Sequence, residues 1–138
     1  MNNDISVVLL GAGSSRRFKS SQIKQNVIIN KVSILNHSRL FFNKYFSESN
    51  IFIVYKKKVF INKLKNNENV IYGSSSRLKS LHVALENIFQ KNLQTKYTLI
   101  HDVARPILNI DDIKKLIASM KSDIDASTLG YPLTNALK

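Results

Sequence analysis

A glycine turn running straight into two arginines, Gly11-Ala12-Gly13-Ser14-Ser15-Arg16-Arg17, is the segment of this chain best equipped for chemistry. Small residues let backbone N–H groups come close to a ligand, and neighbouring guanidinium groups suit one rich in phosphate. The charge around the turn points the same way. No Asp or Glu occurs from residue 5 to residue 47, a stretch that carries Arg16, Arg17, Lys19, Lys24, Lys31, Arg39 and Lys44. Two familiar phosphate motifs are excluded. A dinucleotide fingerprint needs a third glycine, where Arg16 stands, and an acidic residue about 20 positions on; the first carboxylate here is Glu48. The Walker pattern G-x-x-x-x-G-K-(S/T) does not occur.

Two later segments hold further polar groups beside apolar runs. Gly73-Ser74-Ser75-Ser76-Arg77 precedes a helix-like stretch containing Ser80, and Ser76 has the character of an N-cap. Asp102 stands at the end of an apolar run, flanked by His101 and Arg105, and an ion pair with Arg105 is its ordinary structural explanation. His101 reads as a packed or hydrogen-bonded histidine, and His37 and His82 as incidental helix residues. No His, Asp or Glu cluster has the spacing of a zinc site, and without cysteine neither a thiolate site nor a disulfide is available.

The chain has 138 residues, 43% hydrophobic and 9% aromatic, which suits one globular domain with a real core. Its formal charge of +12 admits nucleic acid, membrane surfaces or small polyanions as partners. Its 16 lysines, beside 15 asparagines and 16 isoleucines, fit a compositional bias and a solvated surface. The arginines say more. Of five, Arg16, Arg17, Arg77 and Arg105 fall in or beside turns between apolar segments. A nucleic-acid module is disfavoured, because Tyr and Phe mostly occupy core-like positions and form no stacking platform. No apolar run approaches a membrane span, and the opening M-N-N-D lacks a signal-peptide layout, so a cytoplasmic protein is expected.

The elements that must position these groups follow from periodicity. Strands are predicted at Ile5–Leu10, Ile51–Tyr55, Asn69–Tyr72 and Tyr97–Ile100, with a fifth beginning at Ala126–Leu129. Residues 11 to 25 form a long loop. Helices are predicted from Ser33 to about Phe46, over a short piece at Val59–Leu64, over residues 76 to 91, and after Asn109 as N-cap. In the third of these, Leu78, Leu81, Leu85, Ile88 and Phe89 share the face expected to point inward. Alternating strands and helices imply a three-layer, mainly parallel α/β sheet, in which ligands bind at the carboxyl ends of the strands. Residues 11–24, 73–80 and 101–106 all follow strands and should meet there. No repeat or linker interrupts the pattern.

Together these segments resemble the 2-C-methyl-D-erythritol 4-phosphate cytidylyltransferases. That family opens approximately (A/G)-A-G-x-G-x-R-(M/F) followed by a K-Q pair, matched by Gly11–Phe18 and Lys24-Gln25. A second family segment, V-x-G-G-x-x-R-x-x-S-V-x-x-(G/A)-L, is echoed from Val70 to Leu85, and the third, H-D-(A/V)-A-R-P, is intact at His101–Pro106. The resemblance implies a Rossmann-like sheet of the nucleotide-diphospho-sugar transferase type, with residues 1–138 forming a CTP-binding nucleotidyltransferase domain that is incomplete at its C-terminus. It implies Arg17 and Lys24 as the catalytic pair. Gly11, Ala12, Gly13, Gly73, Ser74, Ser80 and Val103 would line the cytidine pocket, and Asp102 would sit by Mg2+. The acceptor would be a sugar-alcohol phosphate, and the assembly a homodimer.

Four positions depart from the family pattern. Ser15 and Ser74 replace loop glycines, and Asn135-Ala136 stand where the family has an aspartate-threonine pair. The later basic residues that hold the acceptor phosphate in the family have no counterparts here. Two other readings remain: a related nucleotidyltransferase acting on a sugar or alditol phosphate, and a non-catalytic nucleotide-binding remnant. Some family members continue into a cyclodiphosphate synthase domain, and this chain could begin such a fusion.

Overall fold

Strand β1, Ile5–Leu10, is buried at all six positions, as a mainly apolar strand in the middle of a parallel sheet should be, and its one polar residue, Ser6, has its hydroxyl 2.9 Å from that of Thr95. A computed structural model describes residues 4–13, 23–56, 69–91 and 93–130. Residues 1–106 form one compact unit and residues 107–138 a second.

The first unit is built on a four-stranded sheet. Besides β1 it contains β4 (Ile51–Tyr55), β5 (Val70–Tyr72) and β6 (Tyr97–Asp102), in the order β5-β4-β1-β6 and all parallel. Leu10 pairs with Val54 on one side and Asp102 on the other, and Tyr55 pairs with Tyr72. The strands therefore finish nearly level, and the segments that follow them leave from one edge. From β1 the chain proceeds outward to β4 and β5, then returns across the sheet to place β6 on the far side of β1. The order reverses between β1 and β6, and a crevice at the carboxyl ends of two such strands is where open α/β sheets bind ligands.

One helix covers each face of the sheet. Helix α1 (Ile34–Asn43) is capped by Ser33, whose hydroxyl accepts the Asn36 N–H at 3.2 Å. It buries Ile34, Leu35 and Phe42, the last with its ring centroid 5.3 Å from that of His101 on β6. Helix α2 (Arg77–Gln90), capped by Ser76, covers the other face. There Val8, Leu10, Ala12, Phe52, Val54 and Ile71 pack with Ala84 and Ile88. The arrangement is the three-layer, mainly parallel fold expected.

Three features differ from the expectation. The buried positions of α2 are Ser80, Ala84 and Ile88, with Leu81 partly covered, while Leu78, Leu85 and Phe89 are exposed. The helix lies close to the sheet through small side chains, which turns its bulkier stripe outward. Second, Ile28–Ile29 (β2) and Val32–Ser33 (β3) form a small antiparallel hairpin between the predicted loop of residues 11–25 and the helix that Ser33 caps, where the sequence pattern assigns no element. Its turn residues Asn30 and Lys31 have φ of 48° and 65°, the left-handed pair that a two-residue hairpin turn requires. Third, Ala126–Leu129 is not a strand: residues 121–130 are exposed and pair with nothing in a sheet among the described residues. The short helix expected at Val59–Leu64 lies outside the described residues.

In the second unit, α3 (Ile110–Ala118) starts at Asn109, whose side chain accepts the Asp111 N–H at 2.9 Å. Asp111 and Asp112 in its first turn and Lys115 in its last complement the helix dipole. Among the described residues no helix is long and apolar enough to cross a membrane.

Candidate functional site

The turn after β1 is held against β4. The Gly11 N–H donates to the Val54 carbonyl at 2.7 Å, and a Cβ on Gly11 would stand 2.9 Å from that same oxygen. Glycine is needed here for close approach; its φ is not in the left-handed region. The Gly13 carbonyl accepts from Gln25 Nε2 at 3.2 Å. Gln25 is buried in the middle of the 3-10 turn Lys24–Asn26, so this bond ties the turn bearing Lys24 to the glycine turn.

The segment after β5 interlocks with the first. The Gly73 N–H donates to the Tyr55 carbonyl at 2.6 Å, and a Cβ on Gly73 would lie only 2.3 Å from the Cβ of Ala12. Ser80, 2% exposed, aims its hydroxyl back at this loop: it accepts the Ser74 N–H at 3.0 Å and lies 3.4 Å from the Ser74 carbonyl. Ser74 itself has no positive φ, so a serine stands there without backbone strain.

The segment after β6 closes the edge on the other side. The Val103 N–H donates to the Leu10 carbonyl at 3.2 Å, and its fully buried side chain packs against the Gly11 position. The Arg105 N–H donates to the Asp102 carbonyl at 3.0 Å. His101 is buried, with Nε2 3.3 Å from Ser38 Oγ on α1. Burial lowers its pKa below the usual histidine value. The Arg105 charge adds to that, and the Asp102 charge and a hydrogen bond with the Arg105 backbone oppose it. This histidine braces α1 against the strand end that carries Asp102.

The Asp102 side chain pairs with Arg77, Nε to Oδ1 at 3.0 Å, and not with Arg105 as the sequence suggested. Arg77 is the first residue of α2, and the helix crossing over β4 and β1 carries it to the end of β6. Sequence reading missed two residues here, Arg77 as the partner of Asp102 and Gln25 as the strut under Gly13. Both lie inside the motifs quoted above, but nothing local shows which residue each would meet.

The structure thus brings Gly11, Ala12, Gly13, Gly73, Ser74, Ser80, Asp102 and Val103 to one edge, with the turn of Lys24 tied to it. Arg17 lies outside the described residues, as do Arg16, Asn135 and Ala136. A divalent ion fits Asp102 in one manner only. Among the described residues no three His, Cys, Asp or Glu side chains gather to form a cage. A single half-exposed carboxylate suits magnesium that keeps waters and is carried mainly by a ligand's phosphates. A separate concavity of about 530 Å³, lined by Leu85, Phe89, Lys96 and Thr98 among others, lies by the amino-terminal end of β6, away from these groups.

Comparison with known proteins gives this edge a context. The family model described as 2-C-methyl-D-erythritol 4-phosphate cytidylyltransferase matches residues 5–138. The chain belongs to that family. The cytidylyltransferase of this name from Wigglesworthia glossinidia brevipalpis is 29% identical over 140 residues, covering 98% of this chain and 59% of that protein. A bifunctional enzyme IspD/IspF from Pelagibacter ubique is 34% identical over 119 residues, covering 83% of this chain and 31% of that one. The crystal structure of a 4-diphosphocytidyl-2C-methyl-D-erythritol synthase superposes with a TM-score of 0.78 over all of this chain and 63% of its own, at 20% identity, a likeness of fold. The chain therefore spans about 60% of the length of the single-function cytidylyltransferase relative.

Proposed function

We propose that this chain is the nucleotide-binding part of a 2-C-methyl-D-erythritol 4-phosphate cytidylyltransferase that takes CTP with Mg2+. The observation that carries the reading is the convergence of the Gly11–Gly13 turn, the Gly73–Ser80 segment and Asp102 where the strand order reverses. In the proposed reaction a phosphate oxygen of the acceptor attacks the α-phosphorus of CTP. The bond from that phosphorus to the bridging oxygen breaks, and pyrophosphate leaves. No covalent intermediate with the protein is needed, so the protein's part is positioning and charge neutralisation.

Each group has a role in that scheme. Ala12 and Gly73 bring two backbone segments into contact, the close approach a small pyrimidine pocket needs. Ser80 fixes the Ser74 peptide, and Val103 supports Gly11 from beneath. Arg17 and Lys24 would stabilise the charge that builds on the α-phosphate, a contribution typically worth on the order of 10²–10³ in rate. Asp102 would hold the magnesium, which when bound screens the charge of the triphosphate. A homodimer and a cytoplasmic location belong to the same proposal. They rest on the family likeness and on the composition. The acceptor is the part where this chain departs most from the family pattern, at Asn135-Ala136.

The test is thermal unfolding with Mg2+ and each of CTP, UTP, ATP and NAD. A ligand at 100 times its Kd stabilises the fold by about 2.7 kcal/mol. CTP is expected to raise the melting temperature most, and a release assay for pyrophosphate with the methylerythritol phosphate acceptor follows. A cooperative melt that is indifferent to all four ligands overturns the reading.

A further inference from the structure

The ion pair between Arg77 and Asp102 is built as a replaceable contact. It uses one guanidinium nitrogen, Nε, on one carboxylate oxygen at 3.0 Å, not the two-pronged geometry that makes such pairs strong. The Arg77 side chain is 63% exposed and that of Asp102 35%, so solvent screens the pair. Among the described residues, the terminal nitrogens of Arg77 meet no acceptor, although a guanidinium carries five N–H donors.

A second observation bears on the same spot. The first turn of α2 holds Arg77 and Lys79 and no acidic residue. Cations at a helix N-terminus oppose the helix dipole, so this turn is short of negative charge. Helix α3 of the same chain has the favourable pattern, with Asp111 and Asp112 in its first turn. In α2 the missing anion comes from outside the helix, as the carboxylate of Asp102.

We propose that Arg77 is a polyphosphate-binding residue parked on Asp102. In the free protein the carboxylate stands in for a phosphate. With a polyphosphate and its divalent cation bound, Asp102 would hold the cation and the Arg77 guanidinium would pass to a phosphate oxygen. The exchange keeps every charge paired before and after binding, so neither group is left uncompensated at the edge of the sheet. It also couples the two ligands: a polyphosphate without its cation must pull Arg77 away from a carboxylate that then repels it. The inference rests on the nucleotide reading above and adds to it a residue and an order of charge pairing.

Titration calorimetry with inorganic triphosphate and with CTP, each with and without Mg2+, tests the exchange on the full chain and four variants. Arg77→Gln should weaken magnesium triphosphate and magnesium CTP alike, by about tenfold, and Arg77→Lys should recover part of the loss. Asp102→Asn should bind metal-free triphosphate several-fold tighter than the unaltered chain and gain little from Mg2+. The double variant Arg77→Gln/Asp102→Asn should lose that gain. If the gain persists in the double variant, it is plain removal of a negative charge, and the exchange is overturned. Equal binding by the unaltered chain and Arg77→Gln overturns it too, while leaving the nucleotide reading in place. An unaltered chain that binds neither triphosphate nor CTP overturns the nucleotide reading, and this inference with it. Because Arg77 and Asp102 are exposed or half-exposed, the variants should melt cooperatively close to the unaltered chain.

Discussion

Gly73 and Ala12 meet so closely that a methyl group on Gly73 would lie 2.3 Å from the Ala12 Cβ. The segment after β5 is thereby seated on the turn after β1, and neither can shift without the other. Ala12 has no rotamer with which to retreat, so Gly73→Ala must move backbone. Overpacking of this kind costs about 1–3 kcal/mol, a fall in Tm of roughly 3–12 °C for a chain of this size. The Ala12 contact is the severe one, with Ser80 Oγ and the Tyr55 carbonyl each at 3.1 Å, so adding Ala12→Gly should restore part of the loss. A Gly73→Ala protein that melts normally, or one that Ala12→Gly fails to rescue, would show that the two segments are not in contact.

Much of this edge was legible from local chemistry. β1 could be read because a central parallel strand is apolar at nearly every position, here all but Ser6, and the starts of α1, α2 and α3 because Ser33, Ser76 and Asn109 are cap residues in the right place. The strand-end location of Gly11, Gly73 and Asp102 followed from the alternation of strands and helices. What could not be read depends on distant contacts. The apolar periodicity of α2 favours Leu78, Leu85 and Phe89 as the inward face, yet Ser80 and Ala84 are the buried positions, with the Ser80 hydroxyl 3.1 Å from where a Cβ on Gly73 would lie. The Arg77–Asp102 pair joins residues 25 apart in sequence and exists only because α2 recrosses the sheet. The β2–β3 turn carries Asn30-Lys31 and not the Asn-Gly that signals such turns.

His101 sets a pH dependence of stability. Burial lowers its pKa in the folded chain below the 6.5 of the free side chain, so below that pH the unfolded chain binds protons that the folded chain resists. Stability is fully present above pH 6.5 and is lost as the pH falls from there through the lowered folded value. The slope contributed by one group is at most about 1.4 kcal/mol per pH unit. Urea unfolding between about pH 5 and 8, the range in which histidine titrates, should show this decline in the absence of divalent ions. His101→Gln, which keeps a hydrogen-bonding side chain toward Ser38, should show less of it. Equal pH profiles for the two proteins would remove His101 as the cause.

Ser80 offers a separation between holding a loop and reading a base. Its hydroxyl is committed to the Ser74 peptide, and Ser80→Ala leaves that N–H without its acceptor. A lost bond to a buried group costs about 1–3 kcal/mol. If Ser80 acts by fixing the loop, Ser80→Ala should weaken CTP and UTP binding by the same factor. A change in the preference for CTP over UTP would show instead that the hydroxyl contacts the base.

Gln25 stands under the site in the same way, and its substitutions should rank by what they place opposite the Gly13 carbonyl. Gln25→Ala removes the 3.2 Å bond and leaves a small void, a loss of about 1 kcal/mol for the bond. Gln25→Glu keeps the shape but puts an ionised oxygen where an N–H pointed at another oxygen. At 4% exposure that charge is poorly solvated, so the glutamate variant should be the worse of the two, by both melting temperature and CTP binding. Acid should narrow the difference, because the introduced carboxyl, once protonated, can again donate to the carbonyl, and the comparison is best made relative to Gln25→Ala at each pH. The turn that Gln25 anchors also carries Lys24, so loosening it should weaken triphosphate as well as CTP. Equal behaviour of the alanine and glutamate variants in acid and at neutral pH would mean that the Gly13 carbonyl is held by something other than Gln25.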